Sequence, residues 1–344
     1  MKSFYKNKKV LITGHTGFKG SWLSKILDNW GAEITGFSLN PPTNPNLYNL
    51  LDLNINSIIE DIRNYNKLNE VIMEFEPEIV IHMAAQPLVR ESYTNPRYTY
   101  ETNVMGTVNI CEAIRNSDSV KSFLNVTTDK VYENKEWVWG YRENEPLNGY
   151  DPYSNSKSCS DLITQSYNNS FFKELGISCS TARAGNVIGG GDFAKDRIIP
   201  DCVRAAKNKK PIEIRNPYSI RPYQHVLEPL KIYLMICMKQ YENNKYSGNY
   251  NVGPDDEDCV TTGELTDLFC KYWGENLGWI NQSENGPHEA NYLKLDCSKI
   301  KNTFNWKPKW HIEEAIEKTV EWTKIYFNKN DVNECMDNQI KEFF

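Results

Sequence analysis

The segment that most constrains this chain lies near its N-terminus. Lys9-Val10-Leu11-Ile12-Thr13 is a short apolar run that passes directly into Gly14-His15-Thr16-Gly17-Phe18-Lys19-Gly20. A helical pattern follows, in which Trp22, Leu23, Ile26, Leu27 and Trp30 share one face. Glycines in a strand-to-helix turn permit positive φ, let backbone approach a pyrophosphate, and let the helix pack tightly on the strand. The helix N-terminus then offers amide donors and a favourable dipole to phosphate. The spacing is G-x-x-G-x-x-G, not the more general G-x-G-x-x-G, and such turns also close βα units for packing alone. Position after the first strand favours a dinucleotide site at Gly14, Thr16, Gly17, Phe18, Lys19 and Gly20.

Downstream, strands and helices alternate. Strands are expected at 32–38, 78–82, 122–127 and 178–183, and helices at 65–75, 102–115 and 156–172. This order predicts an α/β fold: a Rossmann-like doubly wound parallel sheet with a smaller C-terminal α/β substrate lobe. Beyond Gly185 the pattern loosens. Gly189-Gly190-Gly191 and several prolines mark loops, and helices are expected at 227–241, 262–273 and 312–326. The expected organisation is a dinucleotide-binding domain over 1–183, with 225–250 returning to it. A substrate lobe takes 184–224 and 251–328, and 329–344 reads as a polar, mobile tail.

Bulk properties narrow the function classes. With 344 residues the chain suits about two domains. A formal net charge of −6 argues against nucleic acid as the main partner. No apolar stretch is long enough to span a membrane, and the polar N-terminus has no signal-like apolar region. Nine cysteines without CxxC pairs read as reduced thiols, which points to the cytoplasm. The five histidines are scattered, so no metal is expected.

Several residues carry candidate chemistry. Asp61 and Ile62 suit an adenine, by hydrogen bonding and packing, and Ala84-Ala85-Gln86 ends a strand with small residues that allow close approach; an ordinary loop or strand end is the competing reading. Ser38 ends the second strand where an acidic residue selects NAD, and Lys19 or a nearby cation would instead favour a 2′-phosphate, so the residues alone leave NAD against NADP open. Tyr153 and Lys157 stand four apart, on one helix face. A free phenol is a poor base, but a neighbouring ammonium and a bound nicotinamide ring stabilise its phenolate. Thr128-Asp129-Lys130 follow a strand that ends at the ligand-binding edge: Thr128 can bond the same substrate oxygen as Tyr153, and Asp129 and Lys130 provide an acid and a base. The plain alternatives are a surface ion pair on a helix and a capped turn.

These segments together resemble the extended short-chain dehydrogenase/reductase superfamily, and within it most closely the CDP-glucose 4,6-dehydratases. The matching stretches are TGHTGFKGSWL (13–23), AAQPLVRESY (84–93), TTDKVYEN (127–134), WGYRENEPLNGYDPYSNSK (139–157), RAGNVIGGGDFAKDRIIPD (183–201) and IRNPYSIRPYQHVLEPL (214–230). They keep their order over most of the first 230 residues. The cytidine-nucleotide branch rests mainly on the Asp-Lys pair and the last two stretches.

The resemblance implies an NAD-dependent hydro-lyase that turns CDP-glucose into CDP-4-keto-6-deoxyglucose and water. C4 is oxidised, water is eliminated across C5 and C6, and the hydride returns to C6. It implies Tyr153, Thr128 and Lys157 at C4, Asp129 as acid for the C6 hydroxyl, and Lys130 where thymidine-nucleotide relatives carry a glutamate base. A lysine base must be neutral, which the nearby Lys157 charge favours. It further implies Asn103 fixing the catalytic helix, and Asn186, Arg197 and Arg221 on the substrate diphosphate. His225 and Glu228 line the sugar or order their loop, and Trp137, Trp139 and Tyr141 cover the site or pack in the core. A homodimer through helices 102–115 and 156–172 is implied as well. Competing functions are a nucleotide-sugar 4-epimerase, which needs no acid and base for water loss, a dehydratase acting on another nucleotide's sugar, a decarboxylating relative, and a non-catalytic dinucleotide sensor or scaffold.

Overall fold

The computed structural model describes residues 1–274, 276–282 and 293–344, so part of the expected 251–328 lobe lies outside the described residues. Seven strands form one sheet: β1 (Lys9–Thr13), β2 (Glu33–Ser38), β3 (Asn56–Ile59), β4 (Ile79–His82), β5 (Ser122–Val126), β6 (Ser178–Ala184) and β7 (Gly248–Val252). Their order is β7-β6-β5-β4-β1-β2-β3, and every neighbouring pair is parallel. The order reverses between β1 and β4, and open α/β sheets bind ligands at such a reversal, outside the carboxyl ends of the strands.

Helices cover both faces, as the strand sequences require. Val10 and Ile12 of β1, Ile79 and Ile81 of β4 and Leu124 of β5 enter one core, while Leu11, Val80 and Phe123 enter the other. This is the two-residue period of a strand buried on both sides. The first core receives α1 (Phe18–Asn29), and the second receives α2 (Tyr65–Phe75) and α3 (Gly106–Arg115). A π-helical turn, Glu101–Met105, leads into α3 from the short helix Pro96–Tyr100.

Next comes α4 (Pro152–Tyr167). It begins four residues before the sequence pattern suggested, because Asp151 caps it by accepting from Ser154 N at 3.0 Å and Pro152 takes the first turn. A third core unites α5 (Ile198–Lys207), α7 (Thr262–Trp273) and α8 (Ile312–Phe327) with short strand pieces. Between them α6 (Leu227–Glu242) returns to the sheet, packs on β5 and β6, and leads into β7.

Several elements went unread in the sequence, among them α5, β7, β3 and the last helix. β3 is an exposed edge strand, so its residues lack an apolar run. The segment expected as a mobile polar tail is instead a helix, α9 (Val332–Phe343), capped by Asp331. Val332, Cys335, Met336, Gln339, Ile340 and Phe343 recur at helical spacing and are buried. Its overall polarity hid a narrow packing stripe.

Candidate active site

The glycine turn divides into three separate jobs. Gly14 has φ +80° and lies so close to β4 that a Cβ would sit 2.8 Å from Ala84 N. Gly20 presses on the turn, where a Cβ would meet Gly14 O at 2.1 Å. Gly17, the N-cap of α1, has φ −77°, and its nearest atom would be Gly14 O at 3.4 Å. The chain's own packing therefore requires glycine at 14 and 20, whereas at 17 it leaves open approach to the amide donors of α1. That is the surface a pyrophosphate needs, so the turn fits a dinucleotide.

The next strand ends complete the crevice. Thr16 donates to Leu39 O at 2.8 Å and shares a 2.9 Å hydrogen bond with Ser38. Lys19 does not face that edge. It is half-buried among Asp129, Lys130, Arg197 and Lys157, and burial with the flanking cations lowers its pKa to about 8. The reading of Lys19 as a 2′-phosphate ligand is therefore corrected: it belongs to the catalytic end. Asp61 remains at the rim, held by Arg63, with Nη2–Oδ2 at 2.7 Å. Ile62 is buried in the sheet–helix core against Gly106, so its side chain does not pack on an adenine.

Asn103, on the π-helical turn, is a brace. It accepts from Gln86 N at 2.8 Å, donates to Gln86 O at 3.1 Å, and donates to Ser156 Oγ at 2.9 Å. Ser156 Oγ donates to Tyr153 O at 2.7 Å. One side chain thus ties the Ala84-Ala85-Gln86 loop to the helix carrying Tyr153 and Lys157. Below it lies a polar chain that the sequence did not announce. Thr13 Oγ1 accepts from Met83 N and Ala84 N, and lies 2.7 Å from His82 Nδ1. Its proton must therefore go to that nitrogen, which leaves the hydrogen on Nε2. Burial, then the Lys157 charge, hold His82 neutral, with a pKa near 3.

The catalytic candidates converge above β5. Tyr153 lies beside Thr128. Burial raises its pKa to about 12, while Thr128 and the Arg197 charge oppose the rise. Lys157 donates to Val126 O at 3.1 Å, and burial reinforced by Lys19 lowers its pKa to about 7. Thr128 donates to Asp129 Oδ1 at 2.9 Å, and Lys130 Nζ lies 3.5 Å from the same oxygen. Asp129 is almost fully buried, and its Oδ2 has no partner among the described residues.

Two further groups hold α4 in place. Asp161, one turn past Lys157, is paired with Arg183 of β6 by two 2.9 Å bonds in full burial. Arg183 also donates to Tyr132 Oη at 2.9 Å. An Asp and an Arg 22 residues apart carry no sequence signal, and only the β5–α4–β6 crossover brings them together.

The expected diphosphate residues are divided. Arg197 stands at the start of α5 with no side-chain bond to the helix backbone, pairs with Asp192 at 3.0 Å, and interacts electrostatically with Tyr153. Asn186 follows β6, half-buried, with its carbonyl accepting from Gln224 N at 3.1 Å. Arg221 is buried and donates to Ile220 O at 2.9 Å. His225 is corrected: it lies edge-on between Trp22 (5.9 Å) and Trp310 (4.8 Å), fully buried, with a pKa near 3 from desolvation. It is a core residue, not a sugar contact. Glu228 accepts from Lys309 N and Trp310 N, both at 2.7 Å, and orders that loop. Tyr141 stacks on Tyr132 in the core, whereas Trp139 is largely exposed beside Trp137.

A family model described as GDP-mannose 4,6 dehydratase matches residues 11–319. The chain belongs to that family. It is 49% identical to the CDP-glucose 4,6-dehydratase of Salmonella typhimurium over 99% of this chain and 98% of that one. It is 28% identical to the CDP-paratose 2-epimerase of Salmonella typhi, over 92% and 99% of the two chains. Among solved structures, a UDP-glucose 4-epimerase from Thermotoga maritima shares the fold, with TM-score 0.79 and 22% identity over 93% of this chain and 98% of that one. So does the dTDP-glucose 4,6-dehydratase of Bacillus anthracis in complex with NAD, with TM-score 0.76 and 23% identity over 95% and 98%.

Proposed function

We propose that this protein is an NAD-dependent hydro-lyase, a CDP-glucose 4,6-dehydratase that forms CDP-4-keto-6-deoxyglucose and water. The observation that carries the reading is the buried Asp129 carboxyl beside Lys130, in hydrogen-bond contact with the Thr128 that also meets Tyr153. An epimerase needs the tyrosine, threonine and lysine but has no use for that acid and base. The 49% identity over nearly the whole chain supports the cytidine nucleotide.

Bound NAD would supply the hydride acceptor for sugar C4 and the donor for C6, the latter matched by a proton delivered to C5. Tyr153 takes the C4 hydroxyl proton while Thr128 holds the same oxygen. Lys157, poised near neutrality by its burial, exchanges its proton close to working pH. With C4 a ketone, the C5 hydrogen becomes acidic and Lys130 removes it. Asp129 gives its proton to the C6 hydroxyl, the C5–H electrons form the C5–C6 double bond, the C6–O bond breaks and water leaves. Asn186, Arg197 and Arg221 hold the diphosphate, and arginine's paired donors suit phosphate oxygens. If Lys130→Met still exchanged the C5 hydrogen with solvent at the normal rate, another group would be the base.

Two coarser readings accompany this one. All nine cysteines are free, which supports a reducing compartment, the cytoplasm. Met105, Leu162 and Phe171 are exposed apolar side chains on the elements expected to dimerise, which supports a homodimer there.

The test is incubation with CDP-glucose and NAD, followed by alkali. A 4-ketosugar develops a new near-ultraviolet absorbance, and UDP-, dTDP- and GDP-glucose run alongside identify the base. An epimerised product without that absorbance would overturn the reading.

A further inference from the structure

Tyr233 is fully buried, and its hydroxyl has no hydrogen-bond partner among the described residues. An unpartnered buried hydroxyl costs stability, and phenylalanine would fill the same space without that cost. The surroundings locate its purpose. Cys237 O accepts from Ser122 Oγ at 3.0 Å, and Gln240 Nε2 donates to Phe123 O at 3.0 Å, so the later turns of α6 lie over the start of β5. Tyr233 is one turn nearer the helix N-terminus, and helical side chains lean that way. Its ring therefore points along β5 toward the carboxyl edge, and it shares a core with Val126, Val131 and Ala184, the residues that flank Asp129 and Gly185. Both Asp129 and Tyr153 act on its ionisation. Asp129 Oδ2, the second unpartnered atom, sits above the end of β6, 3.4 Å from where a Cβ of Gly185 would stand.

We propose that Tyr233 is a positioning residue for Asp129, its hydroxyl serving the Oδ2 edge of that carboxyl group through one bridging water. The proposal rests on the dehydratase reading. When Asp129 passes its proton to the C6 hydroxyl, that oxygen leaves as water and a negative charge remains on the carboxylate. Thr128 and Lys130 meet it at Oδ1. The Tyr233 O–H supports the Oδ2 edge through that water, so the charge appears beside a donor already in place.

Tyr233→Phe removes one oxygen and tests this. On CDP-glucose we expect kcat to fall by about tenfold or more, the scale of one hydrogen bond to a charged group. C4 oxidation should survive, so the absorbance of reduced nicotinamide accumulates within a single turnover. On CDP-6-deoxy-6-fluoroglucose, whose fluoride departs without needing the proton, the variant should match the unaltered protein. Its melting temperature should be equal or higher. Equal losses on both sugars, unchanged turnover of CDP-glucose, or a clearly lower melting temperature would each overturn the proposal. If the unaltered protein leaves CDP-glucose intact, the dehydratase reading itself falls and takes this role of Tyr233 with it; that outcome is told apart because it precedes any variant.

Discussion

Lys157 shows how this site trades stability for chemistry. Its folded pKa is about 7, against 10.5 for a free lysine, because burial and Lys19 disfavour its charge. Between those values the unfolded chain binds a proton that the folded chain lacks, so this residue makes stability rise with pH across the window. Below about pH 7 both states are charged, and the folded protein carries the full burial cost. Lys157→Met should therefore melt higher than the unaltered protein at neutral pH, with the gap closing as pH approaches 10. Thermal melts of both proteins across that range check the sign. Activity should disappear in the same variant. Tyr153→Phe makes a separate test: a loss of about 10²- to 10⁴-fold in kcat, the range for a general acid–base group, with no loss of melting temperature.

Among the elements, the glycine turn makes the sharpest prediction, because its three glycines are needed for different reasons. Gly17→Ala has an ordinary φ and room for a methyl group within the chain, so melting of the unliganded protein should be unchanged. Its NAD Kd should rise by about tenfold or more, about 1.4 kcal/mol, read by calorimetry. Gly20→Ala drives a Cβ into the backbone of Gly14 and should destabilise the fold itself. Equal loss of stability in both variants would show that residue 17 serves packing alone. Much of this turn was legible from the sequence, since spacing and position encode backbone needs. The strand–helix alternation was legible too, because strands buried on both faces read as continuous apolar runs. Residues that act across the fold were not. His82 read as a strand residue, and its role comes from Thr13, which lies 69 positions away. Likewise His225 sits in a motif that looked like a substrate loop, yet two tryptophans distant in sequence claim it for the core.

At the scale of the whole molecule, the largest misreading concerns the last residues, where a polar composition concealed a helix that closes the core. Phe343 meets Trp310 edge-on at 5.0 Å, and Phe344 meets Trp30 at 4.8 Å. Lys309 donates to the carbonyls of Glu342 and Phe343, and the buried Lys25 pairs with Asp337 at 3.1 Å. Trp310 in turn touches His225, and His225 touches Trp22 of α1, the helix whose N-terminus forms the dinucleotide turn. The end of the chain is thereby packed, through aromatic rings, onto the element that begins the site. Deleting residues 331–344 would remove Val332, Met336, Ile340 and Phe343, each worth about 1.5–3 kcal/mol of burial, and would uncover the Trp310 and Trp30 rings against which the helix end packs. We expect the shortened protein to melt about 10 °C lower or more, or to aggregate on expression. Phe343→Ala alone should cost about 3 kcal/mol in denaturant unfolding, since it leaves a cavity against Trp310. If the shortened chain melted with the unshortened one, α9 would be an ornament on a core complete without it.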